Sequence, residues 1–397
     1  MKSKKFKISR FKFRFIQFLL LFYSRVFIGY RSKDKYKVAK DEKIIVLSNH
    51  QTDFDPLCII PNFSEPIFPI ATDNIFAGKF RSKLFLSLGV IAKKKGISDV
   101  SSTINIFRRL NNGDSLLLFP EGNRTYAEFQ YYMAPELSKI IKKSGATLVL
   151  FNLTGGTGIS PRFKNKKRHG KFRGKIVKVL KADEIAKMDD DALFKLIQDS
   201  LKVFDSELGQ KFKSHRRTEY LEREFFVCPV CEKSETLYSK GKYIKCSNCG
   251  LKVEYSEDLH LISANKDFKF KRMIEWWNYQ KQYISNLEIK PGEIIFSDKK
   301  VKLMQTNPYQ KRIKFGKGNV SISDTTLTIL DKTFDLKDIE LSSVVSGRNL
   351  IFTYQGNDYT LRGHKRFNPL KYIFLFNKLD TKLKENHADK YYNLEVD

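Results

Sequence analysis

One short stretch of this sequence has the makings of acid–base catalysis: Ser48-Asn49-His50-Gln51-Thr52-Asp53-Phe54-Asp55-Pro56, directly after the apolar run Ile44-Ile45-Val46-Leu47. A histidine in the loop after a buried parallel strand stands where α/β folds place ligands and catalytic groups. An acid five residues on can fold back across a turn and hold one ring nitrogen. The other nitrogen is then free to act as a general base, with the carboxylate stabilising the imidazolium that forms. His50 and Asp55 are therefore the candidate catalytic pair, and Asp53 is a rival partner on geometry alone. An imidazole of ordinary pKa, roughly 6.5, is mostly neutral near pH 7, as a base must be.

A second cluster, Phe119-Pro120-Glu121-Gly122-Asn123-Arg124-Thr125, follows a second apolar run, Leu116-Leu117-Leu118-Phe119. Gly122 allows a close backbone approach or a positive φ. Arg124 offers a planar fork for a phosphate, and Glu121 can position that fork or bond a hydroxyl. A third cluster is chemically different: Cys228-Pro229-Val230-Cys231 and Cys246-Ser247-Asn248-Cys249-Gly250, two knuckles separated by 14 residues. Four thiolates at these spacings suit tetrahedral zinc, and the spacer is long enough for a β-hairpin. A structural zinc ribbon held by Cys228, Cys231, Cys246 and Cys249 is expected, with Cys58 left over in a core.

The elements that must carry these clusters are legible in the apolar pattern. The runs at 44–47, 116–119 and 148–151 are continuous, as in strands buried on both faces. Between them, Ser101 and Ser102 can cap a helix through Ile104, Phe107 and Leu110 that stops at Gly113. Pro135 can start another that stops at Gly145. The expected fold is α/β, with a largely parallel sheet flanked by helices. From Gly292 onward the pattern is β-rich, with a Gln355-Gly356-Asn357-Asp358 turn and a closing apolar helix at Leu370, Ile373, Phe374 and Phe376. This resembles a small β-barrel of pleckstrin-homology type.

Seven segments follow: a basic amphipathic membrane-associated arm (1–40), a catalytic domain (41–206), a charged connector (207–226), a zinc ribbon (227–257), a helical linker (258–290), a β-rich pleckstrin-homology-like module (291–380) and a tail (381–397). The arm carries 13 Lys or Arg and one acid, Asp34, around an apolar segment from Phe15 to Tyr30. Gln17, Ser24 and Arg25 interrupt that segment, so an interfacial helix is expected rather than a spanning one or a signal peptide. Adjacent Trp276 and Trp277 fit a membrane interface or, equally, a helix packed between domains.

With 73 Lys plus Arg against 44 Asp plus Glu, the formal net charge is +29, which predicts attraction to a polyanion. The 33 Phe and 18 Tyr supply enough apolar surface to exclude a wholly disordered chain. Five cysteines, four of them in two pairs, fit reduced thiols better than a disulfide framework. Gly155-Gly156-Thr157-Gly158 is either a close approach to a ligand or an ordinary loop. The stretch from Arg162 to Lys175, with eight Lys or Arg and no acid, is either a solvated face or a grip on anionic headgroups or on an acidic protein surface.

The first two clusters together resemble the glycerolipid acyltransferase family, the 1-acylglycerol-3-phosphate acyltransferases and their relatives. That family is marked by Asn-His-x4-Asp and, about 70 residues later, Phe-Pro-Glu-Gly-x-Arg-Ser/Thr. Here the motifs stand at Asn49 to Asp55 and Phe119 to Thr125. Gly89 to Lys95 is similar to the family's acceptor block, with Lys93 and Lys95 near the place of a single arginine. The region 148–151 is similar to the last block without its usual proline. The resemblance covers about residues 40–205.

It implies acyl transfer from acyl-CoA, acyl carrier protein or an acyl phosphate to a hydroxyl of lysophosphatidate or a related lysolipid. No catalytic metal and no covalent enzyme intermediate are implied. His50 would take the hydroxyl proton and Asp55 orient His50, while Asn49, Lys93, Lys95, Glu121, Gly122, Arg124 and Thr125 bind substrate. The expected setting is peripheral, on anionic lipid at the cytoplasmic face of the cell membrane. The rival reading is a non-catalytic adaptor on membrane or nucleic acid, using the ribbon and basic surface; a nucleic-acid partner is not expected, because no RNA-binding aromatic signature is present.

Overall fold

The computed structural model describes residues 10–72, 79–93, 100–164, 166–306, 312–345 and 347–379. Helix α1 (Arg10–Tyr23) passes through a π-helical turn, Ser24–Ile28, into a short strand β1 (Tyr30–Arg31). There follow β2 (Ile44–Ser48), α2 (Asp55–Ile59), β3 (Ile67–Thr72), α3 (Lys79–Ser87), β4 (Ile91–Lys93), α4 (Val100–Asn111), β5 (Ser115–Leu118) and α5 (Glu136–Ser144). The unit ends with β6 (Thr147–Thr154), the single turn α6 (Gly156–Ile159), β7 (Phe172–Leu180), α7 (Ala182–Lys187) and α8 (Asp190–Leu201).

These strands form one sheet in the order β1-β7-β6-β2-β5-β3-β4. Neighbours run parallel except β6 against β7, so the sheet is mixed: a parallel core with one antiparallel return. The continuous apolar runs have the predicted meaning. Ile45, Leu47, Leu148 and Leu150 face a core with Ile106, Ile141, Leu193 and Ile197 of the helices. Their neighbours Ile44, Val46, Val149 and Phe151 face the other side, in a core shared with the C-terminal half. Helix α5 starts after Pro135 and ends at Gly145, whose φ of 57° is the left-handed cap that glycine tolerates. Helix α4 begins at Val100, so Ser101 and Ser102 lie in its first turn rather than at its cap.

The C-terminal half opens with a four-stranded antiparallel sheet: β8 (Leu237–Lys240), β9 (Tyr243–Cys246), β10 (Lys252–Tyr255) and β11 (Leu261–Ser263). Helix α9 (Met273–Asn286) leads to β12 (Phe296–Gln305), β13 (Ile313–Ile322), β14 (Thr326–Ile329), β15 (Lys332–Asp335), β16 (Ile339–Val345), β17 (Asn349–Tyr354) and β18 (Asn357–Arg362). These seven form an antiparallel sheet in the order β15-β14-β13-β12-β18-β17-β16, followed by α10 (Leu370–Leu379). Gln355 and Gly356, both at positive φ (49° and 73°), make the tight turn between β17 and β18.

One feature differs from the sequence-based expectation and two others settle what it left open. Strand β1, inside the stretch read as an arm, joins the main sheet by pairing Tyr30 with Phe172. The charged connector is buried along much of its length: Phe212, Leu221, Phe225 and Phe226 are buried, with Arg217, Arg223 and Glu224. Its arginines tolerate burial because they have partners. Arg217 pairs with Glu254 at 2.9 Å, and Arg223 donates to the Phe163 carbonyl at 2.8 Å and to that of Lys365. Trp276 and Trp277 are fully buried, which removes the membrane-interface option. Trp276 stacks on Phe225 with centroids 4.2 Å apart and donates to the Val227 carbonyl, while Trp277 packs on Tyr126 and Phe129. Trp276 has both an aromatic face and a bonded N–H, as a buried indole prefers, whereas the buried Trp277 N–H has no hydrogen-bond partner among the described residues.

Candidate active site

The loop after β2 is pinned to the neighbouring strand by Asn49. Its amide donates to the Leu153 carbonyl at 2.9 Å and accepts from the Leu153 N–H at 2.8 Å. Asn49 thus faces the sheet rather than a substrate. His50 follows, with Nδ1 2.8 Å from Asp55 Oδ2. Asp55 is fully buried at the start of α2 and also accepts from the N–H groups of Gln51 (2.6 Å) and Thr52 (2.9 Å) and from the Thr52 hydroxyl (2.5 Å). This donor set satisfies a carboxylate that has no access to water. Because a carboxylate only accepts, Nδ1 carries the hydrogen and Nε2 the lone pair. The His50 side chain keeps 19% exposure, and its ring stacks on Phe119, centroids 4.2 Å apart.

Asp53, the rival partner, turns elsewhere: it lies 2.6 Å from Arg124 Nη1 and is 73% exposed. The Arg124 guanidinium also donates to the carbonyls of Gln51 (3.3 Å) and Ser160 (3.2 Å). The fork of the second motif therefore rests on the residue after the histidine of the first. The two motifs are joined again where the Thr125 N–H donates to the His50 carbonyl at 2.9 Å. The buried Thr125 hydroxyl has no hydrogen-bond partner among the described residues. Gly122 adopts φ 63° with no atom near the position of a Cβ, so the turn demands its conformation rather than its lack of bulk.

Glu121, expected at the acceptor, points into the fold. Its carboxyl accepts from the N–H groups of Tyr131 (3.1 Å) and His50. Burial pushes its pKa up to about 8 against the pull of those two bonds. A motif gives a residue's neighbours but not the direction of its side chain, and here the carboxyl braces the backbone of the candidate base. Lys93 ends β4, with its side chain outside the described residues, and Lys95 lies outside them altogether.

Sequence reasoning missed a buried polar network behind the loop. The Gln51 side chain accepts from the Gly156 N–H (2.8 Å) and donates to Asp205 (3.1 Å). Asp205 also accepts from the N–H groups of Gly155 (2.6 Å) and Thr157 (3.0 Å) and from the Thr157 hydroxyl. Glu128 accepts from the Ser206 N–H at 2.9 Å, and burial together with the Asp205 charge pushes its pKa up to about 8. Burial raises Asp205 as well, and the larger number of donors around it opposes that rise. Only the glycines at 155 and 156 hinted at a close approach. What approaches is Gln51, since a Cβ at Gly156 would lie 2.6 Å from its oxygen.

Far from this site in the sequence, the Sγ atoms of Cys228, Cys231, Cys246 and Cys249 lie within 4.8 Å of one another. Cys228 to Cys249 is 3.6 Å and Cys231 to Cys246 is 3.7 Å. These spacings match the edges of a tetrahedron with zinc–sulfur bonds of about 2.3 Å, and are far longer than a disulfide of about 2.05 Å. The four cysteines can thus hold a metal. Strands β8 and β9 form the hairpin between the knuckles.

The family model described as Acyltransferase matches residues 30–182. No curated protein matches the chain. Among solved structures, the chain is similar to the 1-acyl-sn-glycerophosphate acyltransferase PlsC from Thermotoga maritima, at 19% identity and a TM-score of 0.41, over 49% of this chain and 78% of that one.

Proposed function

We propose that the chain, whose residues 30–182 match the family model described as Acyltransferase, acylates a lysolipid. The group moved is a fatty acyl, from an acyl thioester or acyl phosphate to the free hydroxyl of lysophosphatidate or a close relative. One observation carries this reading: His50 is held by buried Asp55 through Nδ1, and Arg124 rests on the carbonyl of the very next residue. The loop that carries the base thus also supports the fork.

His50 Nε2 takes the proton of the acceptor hydroxyl as its oxygen attacks the acyl carbonyl carbon. Asp55 stabilises the imidazolium, which then gives the proton to the departing thiolate or phosphate. Arg124 binds the acceptor phosphate by exchanging its exposed partner Asp53, a surface pair of little worth, for the more highly charged group. The two carbonyls keep the fork aimed during that exchange. Asn49, Gly122, Thr125 and Glu121 shape and brace the loop, and the resemblance adds Lys93 and Lys95 as acceptor-binding residues.

Three further assignments belong to the same reading. Helix α1 presents Phe11, Phe15, Phe18 and Phe22 to solvent on one face, while Gln17 ties the opposite side to the carbonyls of Pro61 and Phe63. Among the described residues no helix is long and apolar enough to cross a membrane. A stripe of phenylalanines beside basic residues supports peripheral docking on an anionic leaflet. The four cysteines hold one structural zinc. The seven-stranded module with its closing helix is of pleckstrin-homology type. A non-catalytic adaptor would have no need of a buried carboxylate on His50.

The deciding experiment is incubation of purified protein with a panel of lysolipids and labelled acyl-CoA, acyl carrier protein or acyl phosphate, with products identified by mass spectrometry. Acylation of lysophosphatidate is expected. No transfer from any of the three donors to any lysolipid would overturn the proposal.

A further inference from the structure

We propose that Asp205, which lies beyond the residues 30–182 that the family model matches, is a positioning residue for Arg124: it fixes both of the carbonyls on which the guanidinium rests. The inference depends on the reading of Arg124 as the acceptor's phosphate ligand.

Asp205 is 1% exposed, in the turn Asp205–Glu207 after α8. One of its oxygens accepts from the Gln51 amide at 3.1 Å, and Gln51 supplies the first carbonyl under Arg124. The same oxygen accepts from the Gly155 N–H and the other from the Thr157 N–H, so Asp205 also caps the single turn α6. That turn ends at Ser160, whose N–H bonds back to the Gly156 carbonyl at 2.8 Å and whose own carbonyl is the second support. The Gln51 side chain closes the ring by accepting from Gly156. One carboxylate therefore holds two chain segments about a hundred residues apart in sequence, and the guanidinium spans the gap between them.

The third edge of the fork, at Nη1, meets exposed Asp53 and is the edge open to a phosphate. Asp205 thus determines where that edge points without touching substrate. Gln51 also donates its N–H to Asp55, so a shift of this residue moves the phosphate fork relative to the base. A buried aspartate that merely stabilises the fold would lower activity on every acceptor alike. A positioning residue for Arg124 lowers it on phosphate-bearing acceptors in particular.

The test compares wild type, Asp205→Asn, Gln51→Met and Arg124→Ala in the full-length protein. Thermal melts are recorded, and kcat and KM are measured with lysophosphatidate and with a phosphate-free monoacylglycerol. Asp205→Asn turns one acceptor into a donor facing N–H groups. It should raise the KM for lysophosphatidate about tenfold, the effect of one lost bond to a charged group, and shift the acceptor ratio in the same direction as Arg124→Ala. Gln51→Met keeps the main-chain contacts and removes both side-chain bonds, and it carries the test if Asp205→Asn does not fold. A folded Asp205→Asn or Gln51→Met protein with the wild-type ratio, beside a shifted ratio in Arg124→Ala, overturns the role of Asp205 alone. An unchanged ratio in Arg124→Ala overturns the acceptor reading and this inference with it.

Discussion

Asp55→Asn separates the chemistry of the candidate base from the folding of its loop. The carboxylate takes bonds from His50 Nδ1, the Gln51 N–H, the Thr52 N–H and the Thr52 hydroxyl. An asparagine with its oxygen at the Oδ2 position keeps the bonds from His50, Gln51 and the Thr52 N–H, and its NH2 at the Oδ1 position loses the second Thr52 N–H contact while the Thr52 hydroxyl turns to accept. One bond to a charged group is lost, costing roughly 1.5–3 kcal/mol. That is a fraction of an ordinary stability of about 5–15 kcal/mol, so the variant should fold with a lowered Tm. The loss of charge acts on the reaction itself. At a charge separation of about 4 Å and an effective dielectric constant of about 20, a carboxylate stabilises an imidazolium by about 4 kcal/mol, or roughly a thousandfold in rate. Initial rates of labelled acyl transfer and a melting curve on the same preparation are the assays. A folded Asp55→Asn protein with wild-type turnover would refute the assignment of His50 as a base supported by Asp55.

Elemental analysis of protein purified without chelator should find one zinc per chain, and Cys231→Ser should lose it and destabilise the ribbon; reduced thiols without metal would contradict the assignment. Burial pushes the Glu224 carboxyl up to about 8, against the pull of Arg162, Arg223 and Arg124. The folded chain then holds a proton that the unfolded chain has released, so stability falls as pH rises from about 4.5 to about 8. Glu224→Gln should reduce the drop in Tm across that window, and an unchanged slope would show that Glu224 is not its source. Flotation with anionic vesicles should weaken as salt rises and should fail when Phe11, Phe15, Phe18 and Phe22 are replaced by Ser, whereas equal binding to neutral vesicles at low salt would count against electrostatic docking.

The contact between His50 and Asp55, the turn that carries Arg124 and the clustering of the four cysteines were legible because each is a local motif whose members lie within a few residues or at ligand spacing. The strands under them were legible because burial on both faces leaves unbroken apolar runs, as at Ile44–Leu47 and Leu148–Phe151. Asp205 was not, because its partners lie at Gln51 and at 155–157 and nothing near it in sequence marks it as an anchor. The connector deceived in a related way. Arg217 and Arg223 look solvated in sequence, yet they are buried against acids and carbonyls contributed by distant segments. Trp276 and Trp277 could face lipid or protein by composition, and only their contacts with Phe225 and Tyr126 decide for protein.

The central claim, that His50 performs acyl transfer to a lysolipid hydroxyl, is tested most directly by one comparison. Wild-type and His50→Ala proteins, matched by melting temperature, are given lysophosphatidate and a labelled acyl donor, and the diacyl product is quantified by mass spectrometry. Loss of the base should lower product formation by roughly 10² to 10⁴ while the fold persists, because Asp55 keeps its bonds from Gln51 and Thr52 and the ring's stack on Phe119 is a single contact at a part-exposed position. Equal product from the two proteins would contradict the account.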